Sequence, residues 1–516
     1  MAARGTSFFA GWPVLLLVGC SLAGCGPDRP ELTGLPEVRA FAEHESTAIG
    51  AQLSALAAAH PGESGFAIIR YGQPALAARI ALADLAEKSL DVQYYIFEAD
   101  ATGRILTERL ARAAERGVRV RVLVDDINLS GRDSRIAALD AHPGIEIRLF
   151  NPFRHRGFRL LDFATDLDRV NHRMHNKIMI MDNALALVGG RNIGAHYFES
   201  HAESNFRDLD IVGAGPIVRQ TSNVFDRFWN GPWSVPVAEL VDRPNTLEDH
   251  RSAIEAVRSE IADDDYPIPV ESDAKSLMNG LEEIFSNLVW APGRIVWEDP
   301  ADIFEDRASG RMNEALHDRL QSLERELLIE SAYFVPRNRG IETARNLQER
   351  GVSVRVLTNS LSANDVLAAH AGYSKYRKDL LRSGVELYEL RPFPGPVEKK
   401  VVSADSKAAL HTKAIVFDRE AVFIGSFNLD PRSANINSEA GIYVESPELA
   451  RQVIEYMEEG VAPENAFRVL LDDNGDLRWV IEKDGVSLDY EKDPNSRWYE
   501  RWLAGIIRLL PVEGQL

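Results

Sequence analysis

Apolar positions in this chain cluster into short β-branched runs that alternate with stretches of helical period. LDVQYYIF (90–97) reads as a buried strand, and an amphipathic stretch at roughly 103–116 follows it. GVRVRVLVDD (117–126) and GIEIRLFNPF (144–153) come next as strands. The pattern then starts again: LLIESAYFVP (327–336), a helical stretch near 340–350, GVSVRVLTNS (351–360) and GVELYELRPF (384–393). The glycine-led strands correspond, Gly117 with Gly351 and Gly144 with Gly384, at offsets of 234 and 240 residues. Strands alternating with helices predict βαβ units and an α/β fold whose mixed sheets are mostly parallel and flanked by helices. A repeat this long predicts two similar domains rather than a solenoid of short units. The expected division is 40–250, a helical connector at 251–292, and 293–516.

Candidate chemistry lies on one matched pair of segments. HNKIMIMDNALALVGGRN (175–192) and HTKAIVFDREAVFIGSFN (411–428) both read His-x-Lys, four residues, Asp, six residues, Gly-(Gly/Ser)-x-Asn. The two histidines lie 236 residues apart, in line with the glycine offsets. In a strand, positions i and i+2 share a face, so His175 points with Lys177 and His411 with Lys413. Asp182-Asn183 and Asp418-Arg419 interrupt the apolar runs as turns do. A hairpin at each turn brings Asn192 roughly opposite His175 and Asn428 roughly opposite His411. Each half then presents His, Lys and Asn at one hairpin end, with glycines that permit close approach of backbone or ligand.

That group suits a phosphodiester. Ammonium and amide donors bind the non-bridging oxygens, where charge grows in the transition state. A neutral histidine attacks phosphorus, and a protonated one protonates the departing alkoxide. Such a histidine needs a carboxylate on its other ring nitrogen. Asp208 and Glu439 occupy matching places, 33 and 28 residues after their histidines, and are the expected orienting groups. Asp182 and Asp418 complete the repeated motif, but their place at the turns predicts that they fix the turn without touching substrate.

Charge and composition narrow the classes. With 58 Lys+Arg against 78 Asp+Glu the formal charge is −20, which argues against nucleic acid as partner. The mostly apolar stretch from Phe8 to Gly24 after Arg4 has the layout of an export signal at 1–24. Its exit, Leu22-Ala23-Gly24-Cys25, resembles a bacterial lipoprotein signal with Cys25 as lipidation site; Cys20 is the poorer candidate. A plain membrane anchor is the competing reading. These two are the chain's only cysteines, so the body has neither disulfides nor thiol nucleophiles.

The duplicated motif resembles that of the phospholipase D superfamily, named for its His-Lys-Asp signature. GGRNIGAHYF (189–198), SNFRDLDIVGAGP (204–216), GSFNLDPRSANINSEAG (425–441) and LLPVEGQL (509–516) further resemble its bacterial cardiolipin synthase branch. The resemblance implies two phospholipase D-like α/β domains with the active site at their interface, a covalent phosphohistidine intermediate and no required metal or other cofactor. It implies His175 as nucleophile and His411 as general acid, with Lys177, Lys413, Asn192, Asn428 and Ser426 holding the phosphate. Gly190 departs from the family's serine, which Ser426 retains in the other half. The implied partners are phospholipids, with phosphatidylglycerol and phosphatidylethanolamine as candidates, at a membrane surface. Because one chain carries both motifs, it is expected to act as a monomer.

The acceptor stays open: an alcohol makes the enzyme a phosphatidyltransferase, and water makes it a phospholipase D. A nuclease-type phosphodiesterase is disfavoured by the acidity, and a non-catalytic lipid-binding lipoprotein by two intact motifs. The expected location is exported and membrane-anchored, at the periplasmic face or outer membrane. His172 and His175 form an HxxH, but no third ligand with metal-site spacing accompanies it. His196 and Tyr197 read as packing or pocket wall, and Asp263–Asp265 as a solvated loop. Trp498, Trp502, Ile506 and Leu509 form a near-helical apolar stripe, expected to bury against its own domain rather than to meet a bilayer.

Overall fold

The computed structural model describes residues 35–241, 245–263, 274–304, 311–393, 406–483, 486–510 and 513–515. The stretch 1–24 expected to be an export signal, with Cys20, and Cys25 after it, most of the 263–265 acidic run, and Pro511, Val512 and Leu516 lie outside the described residues.

The repeat folds into two mixed sheets with a common central order. In the first it runs Asp210–Ala214, Leu185–Gly189, Ile178–Met181, Ser89–Tyr94, Arg119–Asp125, Ile145–Phe150. In the second it runs Ala440–Glu445, Ala421–Gly425, Lys413–Phe417, Glu326–Ser331, Ser353–Asn359, Glu386–Leu390. The last three strands of each series are parallel and the others antiparallel, so the mixed sheets are mostly antiparallel where mostly parallel ones were expected, because the motif hairpins and the edge strands all pair antiparallel. Among the described residues, edge strands extend the sheets to nine and ten strands. The chain passes from one to the other at Pro292, between Val289–Ala291 in the first sheet and Gly293–Trp297 in the second. Helices Leu247–Asp263 and Ala274–Ser286, which cover most of the 251–292 connector, set Val257, Leu281 and Phe285 into the core of the first domain.

Two of the repeated glycines have a local cause. Gly117 and Gly351 adopt φ of +93° and +81° just past the helices Ala101–Glu115 and Arg337–Glu349. In each case the glycine N–H and the next one fold back onto helix carbonyls: Gly117 to Ala114 and Val118 to Ala113, Gly351 to Gln348 and Val352 to Leu347. This left-handed C-terminal cap favours glycine and launches the following strand. Gly384 closes its helix in the same way, whereas its counterpart Gly144 does not have a positive φ.

The sheets share a core. Ile178, Ile180, Val188 and Ile211 of the first pack with Ala414, Val416, Ile424 and Ile442 of the second, together with residues of helices Pro216–Trp229 and Pro447–Val461. Met179 and Met181 point the other way, into the outer core of the first domain. Strand 178–181 is therefore apolar on both faces, which is why IMIM shows no alternation. Truncating Ile180 to Ala at this seam would cost about 2–5 kcal/mol.

The C-terminal helix Trp498–Ile507 departs from expectation. Its inner side is narrow: Ala504 and Ile507 pack with Leu361 and Ala371. The stripe faces outward, leaving Trp498, Trp502 and Leu509 72%, 62% and 82% exposed. The small inward residues seat the helix close on Leu367–Ser374, and the larger apolar side chains lie on faces that this contact does not cover.

Candidate active site

Both motif hairpins turn where the aspartates stand. Asp182 and Asn183 have φ of 52° and 50°, and Asp418 and Arg419 have 53° and 61°. This is the left-handed pair that a two-residue hairpin turn requires. The Asp182 carboxylate accepts from the backbone N–H groups of Glu87, Lys88 and Ser89 at 2.8–2.9 Å. Asp418 does the same for Glu324, Arg325 and Glu326 at 2.8–3.0 Å. Each aspartate thus ties the entry of the neighbouring central strand to its hairpin, at the end away from the histidine.

The histidines sit where the two domains interlock. Strand Ser204–Arg207 of the first domain pairs in parallel with Lys407–Leu410 of the second. The N–H groups of His411 and Thr412 both donate to the carbonyl of Arg207, at 2.8 and 3.1 Å. Across the pseudo-symmetric contact, His175 N–H donates to Ser438 O at 2.8 Å, and Ser438 N–H to Arg173 O at 2.9 Å. Each histidine is therefore pinned beside the orienting carboxylate of the other domain. His175 Nδ1 lies 2.9 Å from Glu439 Oε2, and His411 Nδ1 lies 2.6 Å from Asp208 Oδ2. This corrects the sequence-based pairing, which gave each histidine the carboxylate of its own repeat. With Nδ1–H committed to a carboxylate, Nε2 is the nitrogen left for chemistry in both rings.

Burial dominates the electrostatics. It pushes His175 down to about 4, with the Lys177 and Lys413 charges adding to it against the pull of Glu439. His411 is held well below its usual value by burial, then by Lys413 and Lys177. Both lysines are lowered by burial against the nearby carboxylates. Burial also raises Asp208. In Glu439 burial is outweighed by His175, Lys177 and the Ser426 hydroxyl, and the group stands below its ordinary value. Lys177 Nζ donates to the carbonyl of His175, and Lys413 Nζ to that of His411 at 2.5 Å. Each ammonium is held beside its own histidine by the i, i+2 geometry of the strand.

The remaining predicted residues divide. The Ser426 hydroxyl donates to Glu439 and accepts from Ala440 N–H at 3.1 Å, so it braces the carboxylate rather than pointing at a phosphate position. Gly190 has a reason of its own: a Cβ there would meet Asp208 Oδ1 at 2.3 Å. At Gly189 it would meet Asp210 Oδ1 at 2.0 Å. The close approach that these glycines permit is that of the Asp208 and Asp210 carboxylates at the start of the neighbouring strand. Asn192 accepts from Ile96 N–H at 3.1 Å and spends one of its two amide N–H groups on Tyr197 Oη at 2.9 Å, which leaves the other as a donor. Asn428 is buried and its Oδ1 lacks a hydrogen-bond partner. His172 turns aside, with Nδ1 2.9 Å from Ile436 O, and does not join His175 on a common point. Among the described residues no group of three or more His, Cys, Asp or Glu could hold a metal ion.

Of the aromatic lining of the site, the sequence reading named only Tyr197, as packing or pocket wall. Tyr95 packs edge-on against His175 at 4.9 Å, and the Lys177 ammonium lies 5.3 Å from its ring centre. Tyr197 and Phe206 pack on His411 at 5.0 and 5.2 Å. Tyr333 hydrogen-bonds Asp365 at 3.0 Å. Tyr95 and Tyr333 follow the ends of the paired central strands, a position that was legible; Phe206 reaches His411 only through the pairing between domains.

Comparisons with known proteins agree with this architecture. The family described as "Cardiolipin synthase, PLD-like domain" matches residues 80–229 and 316–460, one stretch in each domain. Cardiolipin synthase C of Escherichia coli is 39% identical over 464 residues, covering 89% of this chain and 97% of that protein. Cardiolipin synthase A of Pseudomonas putida is 26% identical, covering 76% of this chain and 67% of that one. Among solved structures, phosphatidylserine synthase of Haemophilus influenzae shares the fold with a TM-score of 0.56 at 14% identity, covering 90% of this chain and all of that one. A family match that takes in both repeats, and a relative aligned along nearly the whole length, lead to one conclusion: the chain belongs to the cardiolipin synthase, PLD-like domain family of the phospholipase D superfamily.

Proposed function

We propose that the protein is a phosphatidyltransferase that works through a phosphohistidine and passes a phosphatidyl group to a lipid alcohol, as a cardiolipin synthase does. The observation that carries this reading is the crossed pair of histidine–carboxylate contacts, His175–Glu439 and His411–Asp208. The His175 Nε2 lone pair attacks phosphorus. The bond from phosphorus to the departing alcohol oxygen breaks, and His411 gives that oxygen its Nε2 proton. An acceptor hydroxyl then loses its proton to His411 and attacks phosphorus; the P–N bond breaks and His175 is restored.

The shifted acidities support these roles. A histidine held near 4 is neutral at physiological pH and so a competent nucleophile. His411 is held down by burial and then by two ammonium groups, and the negative charge of a bound phosphodiester offsets those lysines and lets His411 take up the proton it must deliver. Lys177, Lys413 and Asn428 are the proposed phosphate donors, joined by Asn192 through the amide N–H that Tyr197 does not take.

The donor and acceptor are tested by incubating the protein with phosphatidylglycerol and phosphatidylethanolamine liposomes and analysing the lipids. Cardiolipin supports the proposal. Phosphatidic acid alone assigns water as acceptor, and cleavage of oligonucleotides without lipid turnover overturns it. His175→Ala and His411→Ala are each expected to abolish turnover. Export and anchoring through Cys25 belong to the same proposal, and mass spectrometry of the mature N-terminus tests them.

A further inference from the structure

We infer that the outward face of the C-terminal helix, together with an apolar rim on the first domain, docks the active-site mouth onto an anionic phospholipid surface. The inference rests on the lipid reading above.

Three observations converge on it. First, Trp498, Tyr499, Trp502, Leu503, Ile506 and Leu509 are all exposed on and just past one helix. Single exposed apolar side chains are ordinary, but a contiguous group with two tryptophans is not. Tryptophan and tyrosine suit the boundary where one end is apolar and the other wet.

Second, the helix belongs to the rim of the site. Its seat begins at Leu361, just past Asn359, the end of a parallel strand whose side chain bonds Leu410 next to His411. On the first domain, segment 154–172 leads from another such strand end directly into His175 and exposes Phe158, Leu160 and Leu167. The turn Glu513–Gln515, which follows the helix in the chain, meets this segment: Asn171 Nδ2 donates to Gln515 Oε1 at 2.7 Å, and Arg432 of the second domain donates to Asn171 Oδ1 at 3.1 Å and Asn171 O at 2.9 Å. Arg432 in turn acts electrostatically on Tyr95, the ring against His175.

Third, the charge is complementary. On a chain of formal charge −20, the segment 497–510 carries Arg497, Arg501 and Arg508 against Glu500 alone. An apolar face with flanking arginines is what an interfacial helix presents to anionic headgroups. Among the described residues no helix is long and apolar enough to cross a membrane.

The test uses the full chain with vesicles of phosphatidylglycerol, or of phosphatidylcholine, carrying brominated acyl chains. Tryptophan fluorescence is expected to be quenched more by the phosphatidylglycerol vesicles, in the wild type and equally in His175→Ala. The double variant Trp498→Ser/Trp502→Ser is expected to lose that quenching and at least tenfold in vesicle affinity, as is Leu509→Ser in affinity. On short-chain phosphatidylglycerol below its micelle concentration the double variant should keep turnover within twofold. Wild-type binding by both variants overturns the inference. So does a concentration-dependent dimer in light scattering that hides the tryptophans, which assigns the face to a second copy. Quenching without any lipid turnover leaves the docking surface standing and rejects the proposed reaction.

Discussion

Exchanging Glu439 for glutamine should block formation of the phosphohistidine, and with it departure of the alcohol, while leaving the proton donor His411 and its partner Asp208 in place. Glu439 is fully buried, accepts the Ser426 hydroxyl, and lies 2.9 Å from His175 Nδ1. A hydrogen bond to a charged group in such a place is worth about 1.5–3 kcal/mol, and each 1.36 kcal/mol is about tenfold in rate. The amide also presents N–H to Nδ1, which favours the tautomer with the proton on Nε2 and removes the attacking lone pair. The expected loss in kcat is therefore about 10²-fold or more, with KM little changed because Glu439 binds no substrate. A phosphatidyl ester of p-nitrophenol separates the half-reactions, since that leaving group departs without a proton donor. Glu439→Gln should lose the rapid p-nitrophenol burst. Asp208→Asn acts on the acid His411 and should keep the burst within about threefold while losing turnover of natural lipid. The reverse result, with the burst lost in Asp208→Asn and kept in Glu439→Gln, would refute the crossed wiring and restore pairing within each repeat.

With the same chromogenic ester, the burst rate should stay flat from neutral pH downward and fall only near pH 4, because burial favours neutral His175; a limb at the ordinary histidine value would contradict the role assigned to burial. Gly190→Ser restores the family's serine yet should lower lipid turnover by about tenfold, since its Cβ meets Asp208 at 2.3 Å and overpacking of this kind costs about 1–3 kcal/mol. Ser426→Ala, which removes one brace from Glu439, should cost less than Glu439→Gln in the burst assay. Asp182→Ala strips the acceptor from three N–H groups and should destabilise the fold by about 3 kcal/mol or more, read as a lower urea midpoint. The folded fraction at low temperature should still turn over lipid within about threefold of wild type.

The chemistry could be read from the chain because it depends on local geometry. His175 and Lys177 share a face by strand period alone, and the turn at Asp182-Asn183 follows from residue type. Gly117 and Gly351 repeat because each caps a helix in a left-handed conformation. Other residues misled for physical reasons. The family resemblance implied Ser426 as a phosphate ligand, but a buried Glu439 nearby takes its hydroxyl. Trp498, Trp502, Ile506 and Leu509 form a sound amphipathic stripe; helical period says that a face is apolar and nothing about what covers it.

The sequence by itself determined that there are two domains, that each presents one His-Lys pair at the end of one hairpin, and which two carboxylates serve them. These follow from periodicity and from a repeat that can be laid against itself. Only the tertiary structure decided which carboxylate serves which histidine. Alignment of the repeats pairs Asp208 with Glu439 as equivalents and is blind to an exchange between them. The exchange is made by backbone hydrogen bonds across the interface, Arg207 with His411 and Ser438 with His175, and contacts between residues more than 200 positions apart leave no trace in local pattern. One polypeptide thus builds two half-sites, and neither histidine has its carboxylate until the two domains meet.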